Sequence, residues 1–352
     1  MEKIEFDNKN GNLFQGKTND FMNTKTFLTF FTLLIFQSCN FSNSKFKKDQ
    51  SINAATRQEI KTLNDKLFEG VTKDSLAIVQ SLMSPGLLEK FGNDSNKIIN
   101  LINSRDIENY SILDEYYIQA SAPKIMITLP SGNAGDNDYI FSFESPNKDS
   151  YVSLLLLNNF GNQFLLAVVY GKYQSGWKIN ILKFGAYSFF GKNAPDYFRL
   201  AEANYKKGYL IDAVNNMSLS DVLLYPAGAY WQYVEGNEFK KFGDSILQEA
   251  NGKYKLPLTL ENIKSKPKIF KVYQEVIKEG FFPMVSYLTN INLKDTAALR
   301  LENNSVRKEV DSIFTGIDKD KKYIFYWASN KIPVDTTTEK RYGFIDTLTK
   351  DK

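Results

Sequence analysis

Residues 151–184 read YVSLLLLNNFGNQFLLAVVYGKYQSGWKINILKF, and the fold turns on this stretch. Two apolar runs, Leu154–Leu157 and Leu165–Val169, are separated by Asn158-Asn159-Phe160-Gly161-Asn162, and Gln174-Ser175-Gly176 follows the second. Short runs rich in β-branched and aromatic residues, bounded by Asn, Ser and Gly, read as antiparallel strands joined by hairpins. Strands are therefore expected at Tyr151–Leu157, Gln163–Tyr173 and Gly176–Phe184, with Trp177 and Ile179 on one face. Both runs are apolar on both faces, so part of the sheet must be covered twice. The helices upstream are the expected cover on one side, and the helical stretch downstream on the other.

Outward from this core, three more strands are expected at Ser111–Gln119, Lys124–Leu129 and Tyr139–Glu144, in the same curved sheet. Before them the period changes. Ile60, Leu63, Leu67 and Phe68 recur at helical spacing and Gly70 can end that helix. Leu76, Val79, Leu82 and Met83 make a second stripe. Ser84-Pro85 reads as N-cap and first helical residue before Leu87, Leu88 and Phe91. Ile98, Ile99 and Ile102 form a short last helix. Helices first and strands after define an α+β class, with helices packed on a curved antiparallel sheet over 52–188.

That order, with the strand–turn–Gly176-Trp177-Lys178-Ile179 strand at its end, resembles the nuclear transport factor 2-like, cystatin-like cone over about 130 residues. Some members of that fold are enzymes with an Asp–His pair in the cone. This chain has no histidine, so that chemistry is not carried over. Other members are accessory or ligand-binding modules, which fits the chain better. Asp114-Glu115-Tyr116-Tyr117 is the charged and aromatic cluster that could line a cone, and Asp114 and Tyr116 are candidate contacts. Alternation places them on one face and Glu115 with Tyr117 on the other, as in an ordinary half-solvated strand. The loop Ser131–Asp138 lacks the calcium-loop pattern, since the sixth and twelfth residues from Asp136 are Phe141 and Asn147. Asp318–Lys322 fails the same test, and no phosphate-loop motif is present.

Residues 193–265 are expected to be a helical segment. Leu200-Ala201, Tyr205, Gly208-Tyr209 and Ala213 resemble one tetratricopeptide hairpin, with small residues for close approach and Gly208 for the turn. A second repeat is not evident, and a solenoid needs about three. Tyr225-Pro226-Ala227-Gly228-Ala229-Tyr230-Trp231-Gln232-Tyr233 is dense in aromatics, and Tyr230 and Trp231 are candidate contacts beside the alternative of helix core. Residues 266–348 read as a small C-terminal domain with order α-β-α-β-β. Ile269, Val272, Tyr273, Val276 and Ile277 form a helical stripe ended by Gly280. Then come a strand over Phe282–Ile291, a helix over Asp295–Phe314 and strands at Lys322–Ala328 and Tyr342–Leu348. The polar loop Pro333–Lys340 is a contact surface by position alone.

At the other end, residues 22–40 read MNTKTFLTFFTLLIFQSCN. The apolar run Phe27–Phe36 is too short to span a membrane but has the length of a secretory signal core. Ile35-Phe36-Gln37-Ser38-Cys39 resembles the lipobox of bacterial lipoproteins, although Phe36 stands where Leu is commonest and Gln37 is unusual. The resemblance implies lipidation of Cys39, removal of the peptide before it and a membrane anchor of acyl chains, palmitate among them. Residues 1–21 then precede a signal that should start at Met22, and read as a mis-assigned start. Residues 22–38 would be the signal and 39–51, polar and aperiodic, a tether. An acidic run after the cysteine, which in some lipoproteins directs export to the surface, is missing here; that implies a periplasm-facing anchor in the bacterial envelope.

Composition narrows the function. The 352 residues contain 44 basic and 40 acidic side chains, and the balance of +4 is no nucleic-acid footprint. Histidine is absent and Cys39 is the single cysteine, which excludes His-based triads, His metal ligands, an internal disulfide and thiolate zinc clusters. No catalytic residue, metal ligand or cofactor is assigned. The reading is a lipid-anchored envelope protein whose modules bind a protein or glycan, without nucleic acid. The alternatives are a small-ligand carrier using the cone pocket and, less favoured, a carboxylate-dependent hydrolase of envelope polymers, which would need two acids about 5–10 Å apart in a cleft.

Overall fold

The computed structural model describes residues 44–91, 95–333 and 340–348. Expectations for residues 1–21, for the signal at 22–38, for Cys39 and for the middle of the Pro333–Lys340 loop lie outside the described residues. The protein is α+β, with a curled antiparallel half-barrel sheet. The described residues form two compact units, one of 44–193 with Val222–Gly236 and the other of Ala194–Asp221 with 237–348.

The first unit begins with strand β1 (Ser44–Lys48), then helices α1 (Ala54–Thr72), α2 (Leu76–Leu82), α3 (Pro85–Phe91) and α4 (Ser95–Asn103). Strands β2 (Asn109–Ala120), β3 (Ile125–Pro130), β4 (Tyr139–Ser145), β5 (Asp149–Asn159), β6 (Asn162–Tyr173), β7 (Gly176–Phe189) and β8 (Lys192–Asn193) follow. Strand β9 (Trp231–Tyr233) returns to this unit later in the chain. The strands make two sheets. One runs β1-β2-β5-β6-β7-β8 and the other β3-β4-β9. The expectation of a single sheet is corrected here. In β3 and β4 only one face is apolar, with Ile127, Leu129, Tyr139, Phe141 and Phe143 buried, so these strands serve as a cover.

Both faces of β5 and β6 are buried, as their composition requires. Helix α1 covers one face. It starts where the Asn53 side chain accepts from the N–H groups of Ala55 and Thr56. Its buried stripe is Ile60, Asn64, Leu67 and Val71. Asn64 is anchored to the sheet, donating to Ser153 Oγ at 3.1 Å and accepting from the Tyr170 hydroxyl at 2.8 Å. The opposite face meets β3-β4-β9 and the segment leading into β9, where Gly185 lets the Pro226 carbonyl approach so closely that a Cβ would stand 2.5 Å from its oxygen.

Residues Ser44–Ser51, expected as part of a tether, instead form an edge strand and a short 3-10 turn. β1 pairs with β2 from Ser44 opposite Ala120 to Lys48 opposite Tyr116. The sequence SKFKK hides this because an edge strand needs backbone pairing, not apolar alternation. Its lysines also discourage a further strand from adding.

The second unit contains α5 (Ala194–Lys206), most of α6 (Leu210–Leu223), α7 (Gly236–Lys253), β10 (Leu258–Thr259), β11 (Lys268–Ile277), β12 (Gly280–Leu288), α8 (Thr296–Ile313), β13 (Tyr323–Ser329) and β14 (Arg341–Thr347). The expected helical segment 193–265 is thus divided between the units. Ala201 and Ala213 are fully buried in α5 and α6, which are joined through Gly208 at φ +78°. The sheet runs β10-β11-β12-β13-β14, with β12 and β13 parallel and α8 as their crossover. Leu299, Asn303, Val306 and Val310 of α8 are buried, and Tyr287 donates to Asn303 at 3.2 Å.

Residues 268–277 were expected to be helical and are strand. A bulge between Ile269 and Lys271 shifts the register, so Ile269 opposes Tyr287 and Val272 opposes Val285. Two residues three apart therefore share a face, which reproduces helical spacing inside a strand. Over 266–348 the element order is β-β-α-β-β rather than α-β-α-β-β.

Candidate binding surface

Strand β2 carries the cluster Asp114-Glu115-Tyr116-Tyr117, with two of the candidate contacts, and the structure gives each of its residues an internal role. Asp114 lies under β3-β4-β9. Lys48 Nζ stands 2.7 Å from its carboxylate and also donates to the Ser131 carbonyl at 2.6 Å. The Tyr139 hydroxyl donates to the other Asp114 oxygen. Burial first, then the neighbouring Tyr116 and Asp114, pushes Tyr139 far above the ordinary phenol range, so it is a fixed donor. Tyr116 is fully buried and its hydroxyl donates to the Pro130 carbonyl at 3.2 Å.

Glu115 points the other way, towards α1. Arg57 pairs with one oxygen and the Tyr151 hydroxyl donates to the other at 2.5 Å. The Glu115 backbone N–H donates to Asp49 at 2.9 Å. Tyr117, bonded to Asp149 at 2.7 Å, is raised to about 12 by burial and by that carboxylate. The half-solvated strand expected from alternation is corrected, since Asp114 and Glu115 are both buried. Their opposite faces also keep the two carboxylates from sharing a cleft. Among the described residues, no three His, Cys, Asp or Glu side chains gather as metal ligands.

Trp231 is buried in the first unit, stacked on Tyr139 with ring centroids 3.7 Å apart and met edge-on by Tyr187 and Tyr233. Tyr230 is half-buried against Phe141, with Lys183 5.6 Å above its ring. Asp114, Tyr116 and Trp231 therefore hold the two sheets together, and a contact role for them is corrected to a packing role. Of the four candidates, Tyr230 alone keeps appreciable surface.

The surface suited to recognition lies at the hairpin ends instead. Asn159 opposes Asn162 across the two-residue turn Phe160-Gly161, with φ +37° and +90°. Phe189 opposes Lys192 across Phe190-Gly191, with φ +49° and +71°. Two positive φ values make each a mirror-image turn, a place that favours Asn, Asp or Gly over a bulky side chain. The turns are joined, because Gly191 N–H donates to the Gly161 carbonyl at 2.8 Å and Phe190 N–H to Asn162 Oδ1 at 3.0 Å. Phe160 is 80% exposed. Beside it in the ladder are the polar residues Asn109, Asn158, Asn159 and Asn162, whose amides brace the tip from within, Asn158 donating to Asn109 Oδ1 at 2.7 Å and Asn159 to the Arg105 carbonyl. Sequence reading took 158–162 as a hairpin turn and missed this. The available signal was a phenylalanine in the place where Asn-Gly is expected.

No helix among the described residues is long and apolar enough to cross a membrane. Compared with known protein families, curated proteins and solved structures, the chain matches none.

Proposed function

We propose that this is a lipoprotein of the bacterial cell envelope, anchored through lipid on Cys39, whose folded part is a non-enzymatic binding module for a protein or glycan. The observation that carries the binding reading is Phe160, an 80% exposed aromatic held at φ +37° on a hairpin tip. Exposed aromatics flanked by polar residues are the anatomy of a recognition patch, and a strained backbone at a surface tip points to a role beyond stability. The order of helices and curled sheet in the first unit supports a cystatin-like module, and α5 with α6 supports a single tetratricopeptide-like hairpin. The carrier alternative has less support, because the face of the sheet under α1 is occupied by Asn64, Tyr151, Tyr170 and Glu115.

Phe160→Asn tests the reading. Asn accepts the turn conformation more readily than Phe, so the variant should fold with stability no lower than the wild type. Affinity capture from detergent-solubilised envelopes, run beside binding to isolated envelope glycans, should lose with this variant whatever the wild-type chain retains. Equal retention by both would remove the tip from recognition.

A further inference from the structure

We infer that the first unit sits on the membrane by the end of its sheet that carries Ser44, pressing a cluster of lysines onto anionic lipid headgroups and holding the Phe160 tip away from the bilayer. The inference rests on the anchored-lipoprotein reading and adds to it an orientation and a membrane-contact surface.

The first argument is reach. Ser44 is five residues beyond Cys39. Fully extended, five residues span at most about 18 Å. β1 is tied into the sheet from Ser44 onward, so the fold begins at the end of that short link. Strand β5 has 11 residues, a length of about 36 Å at ~3.3 Å per residue. Its far end is the Asn159 turn, beside Phe160. The link is about half the length of the sheet, so a lipid on Cys39 excludes a module standing on its Phe160 end with Ser44 uppermost, and the charge of the Ser44 end selects among the orientations that remain.

The second argument is charge. Antiparallel pairing gathers three turns around Ser44. Ser44 opposes Ala120, Gln119 opposes Asp149, Ser150 opposes Gly171, and Tyr173 opposes Gly176. This end carries Lys45, Lys124, Lys148 and Lys172, all exposed. The turns are fixed by backbone bonds, from Lys124 N–H to the Ser145 carbonyl at 2.6 Å and from Ala120 N–H to the Lys148 carbonyl at 2.7 Å. Two acids stand nearby, exposed Glu144 and half-buried Asp149, the latter accepting from Tyr117. The opposite end mixes Asp106 and Glu108 with Lys192 and shows no such bias. An anionic headgroup layer is the complementary partner. The reach of the link delivers it to this end.

The test uses the mature lipid-bearing chain reconstituted into vesicles of phosphatidylcholine, with and without phosphatidylglycerol. Once Cys39 carries lipid, an added cysteine is the single free thiol, so Ser175→Cys and Phe160→Cys each take one fluorophore. With phosphatidylglycerol present, headgroup quenchers should reach the Ser175 label and spare the Phe160 label. Each lysine at an anionic surface favours docking by about fivefold, so Lys124→Gln/Lys148→Gln/Lys172→Gln should lower the docked-to-undocked ratio roughly 100-fold with the anchor intact. Raised salt should act in the same direction. Equal quenching of the two labels, or no response to the triple substitution, overturns the inference while leaving the anchor reading in place. Mass spectrometry of the N-terminal peptide reports the anchor separately. An unmodified Cys39 sinks that reading. With Cys39→Ser added so that the Ser175→Cys label is again the single one, quenching on vesicles added to the unanchored chain would still support the basic end as a membrane surface, and its absence there would overturn both.

Discussion

Replacing Lys48 with Met tests the ion pair that ties β1 to Asp114. Met keeps the apolar stem and removes the ammonium that stands 2.7 Å from Asp114 and 2.6 Å from the Ser131 carbonyl. Breaking a buried ion pair by removing one partner costs about 3–5 kcal/mol. The Lys48 side chain is 28% exposed, so water reaches the pair, and Asp114 keeps the Tyr139 hydroxyl. Discounted for that access, the loss is about 2–3 kcal/mol. The assay is urea unfolding of the chain from Asn40 onward in a Trp327→Phe background. Of the three tryptophans, the remaining Trp177 and Trp231 both lie in the first unit, so their fluorescence follows that unit alone. At a slope of about 2–3 kcal/mol per molar, the midpoint should fall by about 1 M. Asp114→Asn in the same background completes a cycle whose coupling should be about 1–2 kcal/mol. A shift under about 0.2 M, without coupling, would mean that the Lys48–Asp114 pair contributes nothing to stability and was read wrongly.

Three more expectations follow from burial and charge. Leu156→Asp and Val168→Asp place an unpaired charge on opposite buried faces of the central sheet, and each should abolish cooperative unfolding, since the cost rivals a total stability of about 5–15 kcal/mol. Retention of wild-type melting by both would refute the doubly covered sheet. Gly185→Ala drives a Cβ to 2.5 Å from the Pro226 carbonyl oxygen, so the segment before β9 must shift, at about 1–3 kcal/mol. Faster amide exchange at 231–233 would report it; unchanged exchange and stability would contradict the close approach. Asp212, 2.5 Å from Lys321, is held above the usual aspartate value of 3.8 mainly by burial. Between 3.8 and its raised value the folded state holds the extra proton, so this group's contribution falls as pH rises through that window. Asp212→Asn should flatten that slope in urea midpoints measured against pH, and an unchanged slope would assign it elsewhere.

Much of the first unit was legible because its code is local. Leu154–Leu157 and Leu165–Val169, with Asn and Gly between them, announce two strands and a hairpin, and the doubled apolar faces require cover on both sides. The stripes of Ile60 and Leu67 announce helices for the same reason, that side-chain period reports backbone period. The sequence also determined what chemistry is out of reach, since a chain without histidine and with one cysteine lacks the groups for it. Other features were set by partners distant in the chain. SKFKK becomes a strand because β2 offers it a row of backbone groups. Ile269 and Val272 share a face because a bulge alters the strand period. Trp231 joins the first unit because β4 pairs with it 90 residues away from Phe141. Asp114 and Tyr116 look like site residues in one dimension and prove to be cross-links, because burial, pairing and charge compensation arise when separate segments meet. The exposed phenylalanine at Phe160 needed the fold as well. Exposure is a property of what does not pack against a residue, and only the assembled chain decides that.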